Sequence, residues 1–225
     1  GLPIKDVTSV FGNSEFKVFK STAESNGKIG AIAVADFAGC TRKQIDNFTS
    51  FVAKFGARGL VWLRVNDSGV EGPIQKFLSP EESVRLLELT EAKAGDMIFM
   101  IAADEKVCFT SLGQLRLELA SVRNLINKDE FRFLWVTDFP MFEYSEEEQR
   151  YVSVHHPFTS PKPEDVPLLS SDPGAVRANA YDMVINGVEV GGGSIRIHNR
   201  DLQAKLFEIL GFSKEEAQKQ FGFLM

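Results

Sequence analysis

The chain has 225 residues, 44% of them hydrophobic and 25% charged, with a formal net charge of −6. These are ordinary values for a soluble globular protein of one large or two small domains. The acidic balance does not advertise nucleic-acid binding, although a local basic patch stays open. No apolar run approaches the roughly 20 residues that span a bilayer. The opening Gly-Leu-Pro-Ile-Lys-Asp lacks the apolar core of a signal peptide. Cys40 and Cys108 are the only cysteines. Without metal-like spacing they read as buried or inert thiols in a reducing compartment, hence a cytoplasmic protein.

In chain order, Phe16–Phe19 and Ile29–Val34 read as short strands around a polar turn, Ser21–Gly27. Thr41-x-x-Gln44 is a capping box. Ile45, Phe48, Phe51, Val52 and Phe55 then give the helical period, and Gly56 closes it. Leu60–Val65 is a strand. Ser79-Pro80-Glu81-Glu82 starts a helix that runs to about Ala92, with proline at its first position. Gly95 ends the connection, and Asp96–Ala102 is a strand. Alternating strands and helices predict a compact α+β layer domain over residues 1 to about 110.

From Ser111 the pattern changes. Leu112, Leu115, Leu119, Val122 and Ile126 form an amphipathic helix. Phe133–Asp138 is an apolar strand, Ser145–Arg150 a charged turn and Tyr151–Val154 a strand. That strand leads into His155-His156-Pro157-Phe158-Thr159-Ser160-Pro161. A long proline-rich loop continues to Pro173, and loops of that length are usually functional or disordered. A helix over about Asp201–Leu210 and a capping box at Ser213-x-x-Glu216 follow the hairpin described next.

The densest signal is Ala180–Asn199. Asn186-Gly187 between two strand-like runs is a hairpin turn, because a type I′ turn needs positive φ at both centres. Plain two-residue pairing sets Val184 opposite Glu189 and Asp182 opposite Gly191. Asp182 and Glu189 then share a face, beside glycines that let a ligand approach the backbone. Two carboxylates there suit a metal-bound polyphosphate, and Arg196 suits a carboxylate or phosphate. The plainer alternative is a glycine loop with solvated carboxylates. Two of the three histidines are adjacent, and neighbouring strand-end residues point different ways. Their spacing does not suit zinc.

These residues carry a resemblance. Trp135-Val136-x-Asp138-Phe139-Pro140-Met141-Phe142, the His155–Pro161 segment and the Ala180–Asn199 hairpin closely resemble the bacterial-type aspartyl-tRNA synthetases, which are class II enzymes. Thr41–Asp46 and Gly95–Phe99 resemble that family's GAD insertion domain. The fold class implied is α+β: a GAD-type α/β-layer domain at 1–110, then part of a class II antiparallel catalytic sheet with helices at 111–225. Motifs 1 and 2 of the family would precede Gly1 and motif 3 would follow Met225, so the chain reads as an internal portion.

By the same resemblance, His155 and Arg196 would contact L-aspartate, with His156 behind His155. Glu189 would contact ATP and, with Asp182, Mg2+. The implied partners are aspartate, ATP and tRNA(Asp), in a full-length homodimer, with this chain alone a monomer and no membrane involved. The reaction would pass through aspartyl-adenylate. The rival reading is a non-catalytic, tRNA-associated GAD module like those of tRNA-dependent amidotransferases. The histidine pair and triple glycine speak against it. No P-loop or Rossmann glycine pattern supports a third reading, a free-standing phosphate-binding enzyme.

Three expectations follow. The chain alone does not form aspartyl-adenylate. Residues 1 to about 110 fold independently and outlast the second half. A bulge within Gly191–Ser194 brings Arg196 to the Asp182/Glu189 side, since one extra residue reverses every later facing.

Overall fold

The computed structural model of the chain describes residues 1–222, which divide into two compact units, Gly1–Asn127 and Lys128 onward. The first unit is built on a five-stranded antiparallel sheet. Its strands are β1 (Lys5–Asp6), β2 (Lys28–Val34), β3 (Val61–Asn66), β4 (Gly69–Glu71) and β5 (Met97–Ala103), in the order β1-β2-β5-β3-β4. The central strand β5 buries both faces, as strict alternation requires. Met97, Phe99 and Ile101 enter one core, Ile98 and Met100 the other.

Helices cover both faces. Helices α2 (Arg42–Ala53) and α4 (Glu105–Val122) place Ile45, Phe48, Val52, Leu112, Leu115 and Leu119 in the first core. Helices α1 (Lys17–Glu24) and α3 (Pro80–Thr90) place Phe19 and Leu86 in the second. The capping boxes expected at Thr41 and Ser79 are both formed, each with reciprocal side-chain and backbone bonds. Cys40 and Cys108 are free and buried, and burial pushes the Cys108 thiol up to about 11. Both are buried thiols, one of the two forms their lone spacing suggests.

Two sequence expectations are corrected here. Phe16–Phe19 is not a strand, since α1 begins at Lys17. Phe16 and Phe19 sit three apart, so on a helix their rings meet, with centroids 5.0 Å apart. The first unit also runs past residue 110 to Asn127. Helix α4 starts at Glu105, capped by the Asp104 side chain, and its buried leucines face the first sheet. A helix expected to open the second half therefore completes the first.

The second unit holds a three-stranded antiparallel sheet in the order β10-β9-β6: β6 (Phe133–Thr137), β9 (Ala180–Ile185) and β10 (Val188–Ser194). A small hairpin, β7 (Phe142–Ser145) with β8 (Arg150–Ser153), stands beside its own core. That core gathers Met141, Phe142, Leu169, Val176, Ala178, Ala180, Leu206 and Leu210. The proline-rich stretch expected as a loop is largely 3-10 turns, Pro163–Ser170 and Pro173–Ala175. Helices α5 (Arg200–Ile209) and α6 (Lys214–Phe221) close the described chain, α6 with the expected capping box at Ser213. No helix among the described residues is long and apolar enough to cross a membrane.

Candidate active site on the glycine hairpin

The turn forms as Asn186-Gly187 demands, with φ of 50° and 83°. Val188 pairs with Ile185 and Glu189 with Val184. The register then slips between Glu189 and Gly191, leaving Val190 as the extra residue. A bulge was expected within Gly191–Ser194; it lies one step earlier, and Asp182 faces Gly192 rather than Gly191. The glycines do not supply the bulge: Gly191, Gly192 and Gly193 all lack positive φ. Their work is close approach. A Cβ on Gly192 would lie 2.1 Å from Asp182 Oδ1, and one on Gly193 would lie 2.8 Å from the Tyr181 hydroxyl. Both β9 side chains lie across β10, and a larger residue there would have to displace them.

The slip has the consequence anticipated for it. Before it, odd-numbered Glu189 shares the face of Asp182. After it, the even-numbered Gly192 and Ser194 do, and Arg196 follows in the same alternation. Asp182 and Glu189 therefore share one face of the hairpin with Gly192 and Ser194, and Arg196, beyond the end of β10, is linked to Ser194 through Thr159.

Beyond Ser194 the chain pairs with the His155–Pro161 segment. Thr159 forms an isolated antiparallel bridge with Arg196. Ser160 N–H donates to Ile195 O at 2.8 Å and Ile197 N–H donates to Phe158 O at 3.0 Å. On its other side Ser160 O accepts from Asn179 N–H at 2.8 Å. The segment is thus stitched between the start of β9 and the end of β10. The Arg196 guanidinium is exposed and donates from Nη1 to Thr159 Oγ1 at 3.5 Å. The Thr159 hydroxyl contacts Ser194 Oγ at 3.3 Å.

The two histidines differ, as their opposed directions require. His155 is half-buried, edge-on to Phe139 at 4.9 Å between ring centroids. Its Nε2 is sealed from solvent with no hydrogen-bond partner. A buried imidazole nitrogen left unpaired is costly. His156 is exposed, and its Nδ1 accepts from Phe158 N–H at 3.3 Å. His198 is exposed.

An ionic knot fixes the strands beneath. Arg177 grips Asp165 through Nε at 2.8 Å, Nη2 at 2.9 Å and its own backbone N–H at 3.0 Å. It also reaches Asp138 at 3.3 Å and Glu164 at 3.2 Å. Lys162 pairs with Asp138 as well. Hydrogen bonds from Arg177 hold the Asp165 carboxyl down to about 2, while those from Lys162 and Thr137 lower Asp138. Sequence reasoning missed this knot, together with Thr159, Ser194 and Gln203. Gln203, 6% exposed, donates from Nε2 to Pro157 O at 3.1 Å. Each acts through a partner distant in sequence, so no local pattern announces it.

Among the described residues no group of three or more His, Cys, Asp or Glu forms a metal cluster. Asp182 and Glu189 are two carboxylates on one face. That donor set matches Mg2+, which is usually held by one or two carboxylates together with substrate phosphates.

Comparison with known proteins gives this geometry its context. Residues 19–112 match the GAD domain. The chain is 52% identical over all 225 residues to the aspartate–tRNA ligase of Clostridium botulinum (strain Loch Maree / Type A3). It is 50% identical over the same length to the aspartate–tRNA(Asp/Asn) ligase of Caldanaerobacter subterraneus subsp. tengcongensis. Against the enzyme of that name from Thermoanaerobacter pseudethanolicus the identity is 47%. In each case all of this chain is matched and 38% of the relative is covered.

Proposed function

We propose that the chain is part of a bacterial aspartate–tRNA ligase, as its identity of about 50% to such enzymes over its whole length suggests, and that its second unit carries part of a class II site for activating aspartate with ATP. The whole protein would then transfer the aspartyl group to tRNA. The observation that supports this reading is the register slip between Glu189 and Gly191, after which Gly192 and Ser194 share the face of Asp182, the face that continued alternation would give Arg196.

The roles follow from chemistry. The Arg196 guanidinium, with no carboxylate partner among the described ion pairs, takes the aspartate carboxylate; a planar fork suits a planar anion. The unpaired His155 Nε2 hydrogen-bonds the amino acid, with His156 beside it at the mouth of the segment. Glu189 contacts ATP, and Glu189 and Asp182 would hold Mg2+. That ion would supply neutralising charge to the phosphates; in the reaction the aspartate carboxylate attacks the α-phosphorus and pyrophosphate leaves. The remaining work is orientation, which alone lowers such barriers substantially. Cytoplasmic location and a homodimeric full-length enzyme belong to the same reading.

The GAD match covers only residues 19–112, whereas identity to the ligases extends through residue 225. A stand-alone GAD binding module accounts for the first stretch and leaves the second unexplained.

Aspartate-dependent ATP–pyrophosphate exchange tests the proposal. In the full-length ligase containing this chain, Glu189→Gln is expected to lower exchange about 100-fold, the usual cost of one preorganised charged contact. The 225 residues alone, spanning 38% of their relatives, are expected to give none. Near-normal exchange by the Glu189→Gln enzyme would refute the assignment of this face.

A further inference from the structure

We propose that Thr159 is the positioning residue for the Arg196 guanidinium, a role that rests on reading Arg196 as the group that takes the substrate carboxylate. Arginine is long and flexible, so an exposed one makes a precise carboxylate receptor only if something fixes its direction. Thr159 is placed to do so. It is 1% exposed, one of the few polar side chains buried in the second unit. Its backbone is locked on both sides by the bonds of Ser160 to Ile195 and of Ile197 to Phe158. In that pattern Thr159 and Arg196 form the narrow, non-hydrogen-bonded kind of pair, whose side chains stand closest on one face.

The hydroxyl completes a short relay. Arg196 Nη1 donates to Thr159 Oγ1, which in turn donates to Ser194 Oγ. A hydroxyl that gives its proton away becomes a better acceptor for a cation. Using one terminal nitrogen as the anchor leaves the other edge of the guanidinium free for a bidentate carboxylate. Gln203 steadies the same segment through Pro157 O, so the relay rests on a held backbone.

The test uses the full-length ligase containing this chain and measures KM for aspartate and for ATP separately. Thr159→Val keeps the shape and removes the hydroxyl. It is expected to raise the aspartate KM on the order of tenfold, the scale of one hydrogen bond to a charged group, with the ATP KM unmoved. Thr159→Ser should restore the wild-type value, and Ser194→Ala should give a smaller rise in the same direction. A merely structural role would shift both KM values together or lower the melting temperature without separating them, and either result overturns the proposal. Arg196→Lys separates the two claims. If it raises the aspartate KM while Thr159→Val does not, positioning fails and the reading of Arg196 stands. If Arg196→Lys leaves the aspartate KM unchanged, the reading of Arg196 fails and the proposal falls with it. Should Thr159→Val not fold, an unchanged aspartate KM in Ser194→Ala overturns the relay.

Discussion

Asp165 shows how one side chain can tie a site's scaffold to pH. It is 5% exposed and accepts three hydrogen bonds from Arg177, two from the guanidinium and one from the backbone N–H. These favour the ionised form and bring its pKa from 3.8 to about 2. A folded pKa below the unfolded one contributes stability that is present above the unfolded value and lost as pH falls through the folded value. The contribution is therefore whole at neutral pH and drains away between about pH 4 and pH 2. Asp165→Asn should lower the melting temperature at pH 7. It should also flatten the acid limb, so that wild type and variant converge towards pH 2. Melting curves recorded across that range check this. Two curves that stay parallel down to pH 2 would mean that the Arg177–Asp165 pair is not what the acid attacks.

Helix α4 decides where one unit ends, and its two sides behave differently. Leu112 is fully buried in the core it shares with Ile32, Val34 and Phe99, while Leu117 on the same helix is 54% exposed. Leu112→Ala should cost about 2–5 kcal/mol, the transfer and cavity cost of a buried leucine. Leu117→Ala should stay within about 0.5 kcal/mol. Urea unfolding of Gly1–Asn127 measures both, and equal losses would mean that α4 does not pack on this sheet. The start of α4 was hard to read because Asp104, its cap, follows directly on a strand. The leucine repeat that is easy to see begins about two turns later, at Leu112. Where the signal is local, the sequence sufficed: Thr41, Ser79 and Ser213 begin helices as their capping boxes require, and Asn186-Gly187 turns the hairpin. Phe16–Phe19 misled because a short apolar-polar alternation also fits an i, i+3 pair. In the candidate site, Asp182, Glu189, Arg196 and the histidines carried recognisable chemistry. Thr159 and Gln203 did not, since their partners lie 37 and 46 residues away.

At the scale of the whole molecule the two units are unequal. Among the described residues the first has two cores, one on each face of its sheet, both roofed by helices. The second has one smaller core, and its three-stranded sheet leaves Phe133, Leu134, Trp135, Val188 and Val190 more than half exposed. These residues fall on both faces of the sheet, so neither face is fully used for burial. Burial of apolar area is the main favourable term in folding, at about 25 cal/mol per Å². The first unit should therefore be the more stable and should fold without the second. Limited proteolysis with trypsin checks this. Residues 130–132 are held to Asn186 by three hydrogen bonds, which protects Arg132 while that strand is intact. Lys128, at the boundary of the units, is exposed and is the expected first cut. A piece ending near residue 128 should persist with a single cooperative melt, while the remainder is digested, because cleavage follows the population of locally opened states. Persistence of the Lys128 onward piece, or simultaneous loss of both, would show that the stability of the chain does not follow its buried cores.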